Sequence, residues 1–113
     1  MHELSIVMSI VDIAEQYATG AEATVVNEIE LEIGTLSGID LGALEFAWNQ
    51  GVKQTVLENA KRIIHRPEGQ AACLDCGIHF PISHYADSCP GCGSHLLHIF
   101  QGKELKVKSL LVS

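Results

Sequence analysis

Apolar residues recur at helical spacing in residues 4–18. Two neighbouring stripes predict an amphipathic helix with a wide apolar face that packs into a core. Gly20 is a plausible C-terminal stop for this helix. The first stripe contains Leu4, Val7, Val11, Ala14 and Ala18, and the second contains Ile6, Ile10, Ile13 and Tyr17.

The pattern changes to a strict alternation in residues 24–33. A period of two predicts a strand with one buried face and one solvated face. Carboxylates in a row on the same side repel one another, so we interpret the acidic face as solvated surface rather than as a metal site. The alternating residues are Ile29, Leu31 and Ile33 on the buried side and Glu28, Glu30 and Glu32 on the other.

Three more elements are predicted from the remaining pattern. Asp40 is a favourable N-cap for a second helix that continues to about Gln50. Residues 51–59 are ambiguous, residues 60–66 predict a strand that Pro67 ends, and residues 104–112 predict a last strand. The apolar members of the second helix are Leu41, Leu44, Phe46, Ala47 and Trp48.

This order predicts an α+β fold in which a small three-stranded sheet carries two helices and is interrupted by an inserted module. Three strands are about the minimum for a stable sheet, and the helices can cover one face. All four cysteines lie in the insertion. We therefore expect one domain formed by residues 1–67 plus 103–113 and a second formed by residues 68–102.

The composition narrows the function. Apolar residues make up 47% of the 113 residues and the net charge is −7, so a folded chain without a strong positive field is expected. Nucleic-acid binding depends on cationic contacts to phosphate, which argues against such a partner. The sequence contains neither a membrane-spanning apolar run nor a recognisable signal peptide, so we expect no membrane partner and a cytoplasmic location.

The cysteines form two C-x2-C pairs separated by twelve residues, Cys73 and Cys76, then Cys89 and Cys92. In a reducing compartment this spacing indicates zinc, and four thiolates close a tetrahedral site of the structural type. Glycine follows each pair, where the turn must be tight. The segment between the pairs, which contains Phe80, is expected to form a short hairpin.

Other interpretations of the cysteine module remain open. A redox dithiol is less favoured because the sequence has two C-x2-C pairs rather than one. A nucleic-acid-binding ribbon is less favoured because the chain lacks a net positive charge. His79 and His95 each lie three residues after the last cysteine of a pair. They either lie near the metal, as exchanging ligands or hydrogen-bond donors, or are ordinary turn or strand residues.

The chain begins Met1-His2-Glu3. An α-amine, amide nitrogens, an imidazole and a carboxylate within three residues suit the square-planar nitrogen and oxygen ligation of Ni(II) or Cu(II). A single early histidine is, however, more often an exposed side chain without such a role.

The Met1-His2-Glu3 start, the leading amphipathic helix and the late C-x2-C-x12-C-P-x-C-G together resemble the HypA/HybF family of hydrogenase nickel-incorporation proteins. The resemblance implies a non-enzymatic metallochaperone that helps load nickel into NiFe hydrogenase and, in some organisms, urease. It implies nickel at Met1, His2 and Glu3 and structural zinc at Cys73, Cys76, Cys89 and Cys92. The implied partners are a nickel-handling GTPase of the maturation pathway and the hydrogenase large subunit.

A second hypothesis is a zinc-ribbon protein-interaction module without nickel function. It predicts that the protein binds zinc but not nickel, and that replacing His2 has no effect on its function. An enzymatic function has little support, because the sequence shows no nucleophile–base pair at a recognisable spacing and no open metal position.

Overall fold

The computed structural model describes residues 3–113. Two α-helices and six strands follow one another in the order α1, β1, α2, β2 to β6. The α+β class predicted from the sequence is confirmed. The helices are α1 (Glu3–Gly20) and α2 (Leu41–Gly51), and the strands are β1 (Val26–Ile33), β2 (Lys61–His65), β3 (Gln70–Cys73), β4 (His79–Pro81), β5 (Leu97–Gln101) and β6 (Leu105–Val112).

The strands form two three-stranded sheets, one in the order β2-β1-β6 and the other in the order β4-β3-β5. The first contains the three strands predicted outside the cysteine module. The chain also divides into two compact units. One contains the chain up to Leu31 together with Ile39–Ile64 and Val107–Ser113, and the other contains Glu32–Gly38 and His65–Lys106.

In the first unit, α1 packs against α2. Asp40 caps α2 as predicted, since its side chain accepts hydrogen bonds from the backbone N–H groups of Gly42 and Ala43. In the ambiguous segment 51–59, Gly51 ends α2 and residues 52–59 form turns and a bend. Buried side chains of this unit come from both helices, from β1 and from the turns, and include Val7, Val11, Ala14, Ile29, Leu31, Leu44, Trp48 and Leu57.

The apolar face of α1 is narrower than the sequence predicts. Ile13 and Tyr17 of the second stripe are about half exposed, at 49% and 54%, and Leu4 is 54% exposed. In α2, Phe46 is 72% exposed. The prediction that the whole apolar face of α1 is core was wrong, because periodicity identifies an apolar face but not how much of it other elements cover.

The acidic row of β1 is only partly solvated. Glu30 accepts a hydrogen bond from the Ser109 hydroxyl at 2.6 Å. The Glu32 carboxylate lies 3.2 Å from Lys106 Nζ. A hydroxyl and an ammonium group of β6 therefore stabilise two of these carboxylates. This supports the interpretation of the acidic row as protein surface rather than as a metal site.

The second unit has a core of its own that includes two of the cysteines. Strand β3 pairs antiparallel with both β4 and β5. The prediction of a short hairpin within the segment between the cysteine pairs was wrong. That segment contributes the single strand β4, and β4 pairs with β3 because the first cysteine pair occupies the turn between them. The core residues are Leu36, Ala71, Cys73, Phe80, Ile82 and Cys89, with Leu97 and Ile99 packed against them.

Candidate metal centre

The four predicted cysteines converge on one point. Their sulfur atoms all lie within 4.8 Å of one another. Two pairs connect the two motifs, with Cys73 Sγ 3.6 Å from Cys92 Sγ and Cys76 Sγ 3.5 Å from Cys89 Sγ. A zinc ion bound tetrahedrally at about 2.3 Å from each sulfur requires sulfurs about 3.8 Å apart. The donor set and its spacing therefore fit zinc.

Both cysteine pairs have the same backbone geometry. Gly77 and Gly93 adopt φ angles of 81° and 77°, a conformation that side chains disfavour. Each glycine N–H donates to the carbonyl of the first cysteine of its pair, at 2.9 Å to Cys73 and 2.8 Å to Cys89. The glycine after each pair thus closes a tight turn that directs both sulfurs to the same side.

Backbone N–H groups also point at the sulfurs. Cys76 N–H donates to Cys73 Sγ at 3.4 Å, and Gly91 N–H donates to Cys89 Sγ at 3.3 Å. Such donors stabilise a thiolate. The Cys76 N–H is the main reason that the pKa of Cys73 is lowered to about 6.

The sulfurs do not ionise equally well without a cation. A backbone hydrogen bond from Ser94 lowers the pKa of Cys92, but the neighbouring Cys73 sulfur and removal from water outweigh it and raise that pKa to about 12. Neighbouring negative charges oppose each other's formation. The cluster therefore favours a cation that can neutralise several thiolates at once, which is the chemistry of structural zinc.

Neither histidine considered from the sequence belongs to this cluster. Within the described residues, the group of potential ligands contains the four cysteines alone. His79 is exposed on β4, and its ring lies 5.1 Å from the ring of Phe100. His95 is exposed as well.

Of the three predicted nickel ligands, Glu3 is the one that the structure describes, because Met1 and His2 lie outside the described residues. Glu3 is the first residue of α1 and is half-buried. Its Oε2 accepts a hydrogen bond of 3.4 Å from the backbone N–H of Asp40. The first turn of α1 and the cap of α2 therefore lie together, although 37 residues separate them in sequence.

Asp40 adds a carboxylate to this neighbourhood that sequence reasoning identified only as a helix cap. Both cap bonds fall on Oδ1, at 2.9 Å from Gly42 N and 3.1 Å from Ala43 N. Neither cap bond uses Oδ2, and the side chain is exposed. No spacing in the sequence signals the contact with Glu3, since the contact depends on how the helices pack.

The chain is similar to proteins of nickel metabolism over its whole length. A family model described as hydrogenase/urease nickel incorporation, metallochaperone, hypA matches residues 1–112. The hydrogenase maturation factor HypA of Parabacteroides distasonis is 48% identical over 112 residues, covering 99% of this chain and 97% of the relative. The corresponding factor of Geobacter metallireducens is 42% identical, covering 99% of both chains.

Two solved structures share the fold. The solution structure of the Ni metallochaperone HypA from Helicobacter pylori matches with a TM-score of 0.71 at 26% identity, over 99% of this chain and 97% of that one. A second solution structure, described as HypA protein, matches with a TM-score of 0.73 at 27% identity, over 100% and 97%. Within residues 3–113, no helix is long and apolar enough to span a membrane.

Proposed function

Because this chain belongs to the HypA family of hydrogenase and urease nickel-incorporation metallochaperones, we propose that it carries Ni(II) and delivers it during maturation of NiFe hydrogenase. Nickel is held by Met1, His2 and Glu3. The observation that carries this proposal is the family match, which begins at residue 1 and so includes all three residues. Amine, amide, imidazole and carboxylate donors suit Ni(II).

The position of Asp40 supports one further oxygen ligand. Its backbone holds the Glu3 carboxylate at 3.4 Å, so a cation at Glu3 lies close to a second negative charge. We include Asp40 Oδ2 in the proposed nickel set for this reason. A site at the start of α1 also allows release, because chain termini rearrange at little cost to a core.

In this proposal the two metals have separate places in the chain. Residues 1–67 with 103–113 form the nickel-binding domain, and residues 68–102 form the zinc domain. Zinc is held by the four cysteines with no open position, so it is structural and stays bound while nickel is exchanged. The protein performs no catalysis of its own.

The proposed partners follow from the same role. Hydrogenase maturation requires contact with other maturation proteins, and we propose a nickel-handling GTPase and the hydrogenase large subunit as the two principal ones. The proposed location is the cytoplasm. Urease is a second possible recipient, since the family description includes it.

Nickel titration by calorimetry on the zinc-loaded protein tests the proposal. Wild type should bind about one nickel. His2→Ala and a variant with two residues added before Met1 should lose this binding. Asp40→Asn should weaken it while retaining the helix cap, because asparagine caps as well as aspartate. Asp12→Asn, which removes an exposed carboxylate elsewhere on α1, is the matched control and should bind as wild type does.

The outcomes separate the two hypotheses. Equal binding by wild type, His2→Ala and the extended variant would place nickel elsewhere. An absence of binding in all of them, with zinc retained, would favour the zinc-ribbon interaction module. The exposed Leu74 and Leu96 of the zinc unit are the feature that supports that second candidate.

Nickel affinity should also fall as the pH falls from about 8 to 5. The imidazole and the amine must lose their protons to bind, so acid competes with the metal. The same calorimetric titration at several pH values measures this dependence. An affinity that stays constant over this range would contradict imidazole ligation.

A further inference from the structure

Two histidines share one row on the outer face of the sheet β4-β3-β5. Ala72 of β3 pairs with His79 of β4 on one side and with His98 of β5 on the other. Directly paired residues project to the same face of a sheet, while neighbours along the strand project to the opposite face. Ala71 and Cys73 are buried, so Ala72 and both histidines lie on the outer face, where both imidazoles are exposed.

The spacing of this row suits a shared ligand. The two histidines are separated by two strand spacings, about 10 Å between backbones. The residue between them on β3 is Ala72, whose side chain is a single methyl group. The His79 ring already extends towards β5, since it lies 5.1 Å from the ring of Phe100 on that strand.

We propose that His79 and His98 form a third metal site, which takes a divalent transition cation such as Ni(II) between their imidazoles. Imidazole nitrogen is a good ligand for nickel, copper and zinc. Two protein ligands leave several coordination positions to water or to an incoming donor. The site is thus open and exposed, in contrast to the closed cluster of four thiolates.

This site uses none of the residues in the proposed N-terminal set, so it stands or fails separately. The test is carried out on the zinc-loaded full chain with His2→Ala, which removes the terminal chelate. Ni(II) alone is the probe, and the ring signals of each histidine are followed by NMR. The signals of His79 and His98 should shift or broaden together at the same nickel concentration.

Single replacements show whether the two imidazoles act as a pair. In His79→Ala, the response of His98 should be lost at that nickel concentration, and in His98→Ala the response of His79 should be lost. Ala72→Val keeps both histidines but places a branched side chain between them, and should weaken both responses. His84→Ala is the matched control, because His84 is exposed in the same unit but lies outside the row, and it should leave both responses unchanged.

The zinc content and the dispersion of the amide NMR signals are measured for each variant, to establish that the second unit remains folded. Responses of His79 and His98 that are independent of each other would overturn the proposal. It would also fail if His84 responded at the same nickel concentration as the pair, since that result indicates unspecific binding to exposed imidazoles.

Discussion

Gly102 lies where two backbone segments approach too closely for a side chain. Its φ angle is 112°, and a Cβ atom there would lie 2.6 Å from the Cα atom of Gly69 and 3.0 Å from its nitrogen. Gly102→Ala should therefore lower the free energy of unfolding by about 2 kcal/mol or more, from backbone strain together with the clash. Denaturant unfolding of the zinc-loaded protein measures this change.

Gly20→Ala provides the control for this prediction. No atom lies within 4 Å of a Cβ built at Gly20, which ends α1. Its replacement should change stability by less than about 1 kcal/mol, because the substitution adds no clash. A similar loss in both variants would mean that the close approach to Gly69 is not what requires glycine at position 102.

At this scale, the sequence predicts chemistry that depends on local spacing. The cysteine pairs with their glycines and the Asp40 cap were evident because each uses residues within a few positions. The contact between Glu3 and Asp40 and the row of His79 and His98 were not. They depend on helix packing and strand register, which no short motif encodes.

Helix α2 provides a prediction at the scale of one element. Asp40→Ala removes both cap hydrogen bonds and should lower stability by about 1 kcal/mol, whereas Asp40→Asn should retain most of it. Thermal unfolding monitored by helical circular dichroism measures both variants. Equal losses would mean that the charge of Asp40, rather than its hydrogen bonds, stabilises the helix, and Asp40→Asn would then not isolate its role in nickel binding.

Helix α1 shows where periodicity fails at this scale. The two stripes correctly predict a helix over residues 4–18, which in the structure runs from Glu3 to Gly20, but only one side of its apolar surface is covered. Ile13 and Tyr17 instead line an open groove of about 410 Å³ with residues 107–110 of β6. Coverage is a property of neighbouring elements, so the pattern within one helix does not determine it.

At the scale of the whole molecule, removing zinc should unfold one unit and spare the other. Cys73 and Cys89 are core residues of the second unit as well as proposed zinc ligands. Without zinc, the core of this unit would contain cysteine side chains that either repel one another as thiolates or are protonated. A small core of this kind depends on its metal for folding. A strong zinc chelator should collapse the dispersion of amide NMR signals from residues 65–106.

The first unit should keep its structure under the same treatment, because its buried side chains come from α1, α2, β1 and the turns after α2 rather than from the cysteine module. The helical signal near 222 nm and the fluorescence of the buried Trp48 should therefore change little. Adding zinc back should restore the lost amide signals. Loss of the helical signal together with those amide signals would show that the units fold as one, and nickel binding at the start of α1 would then require zinc at the four cysteines.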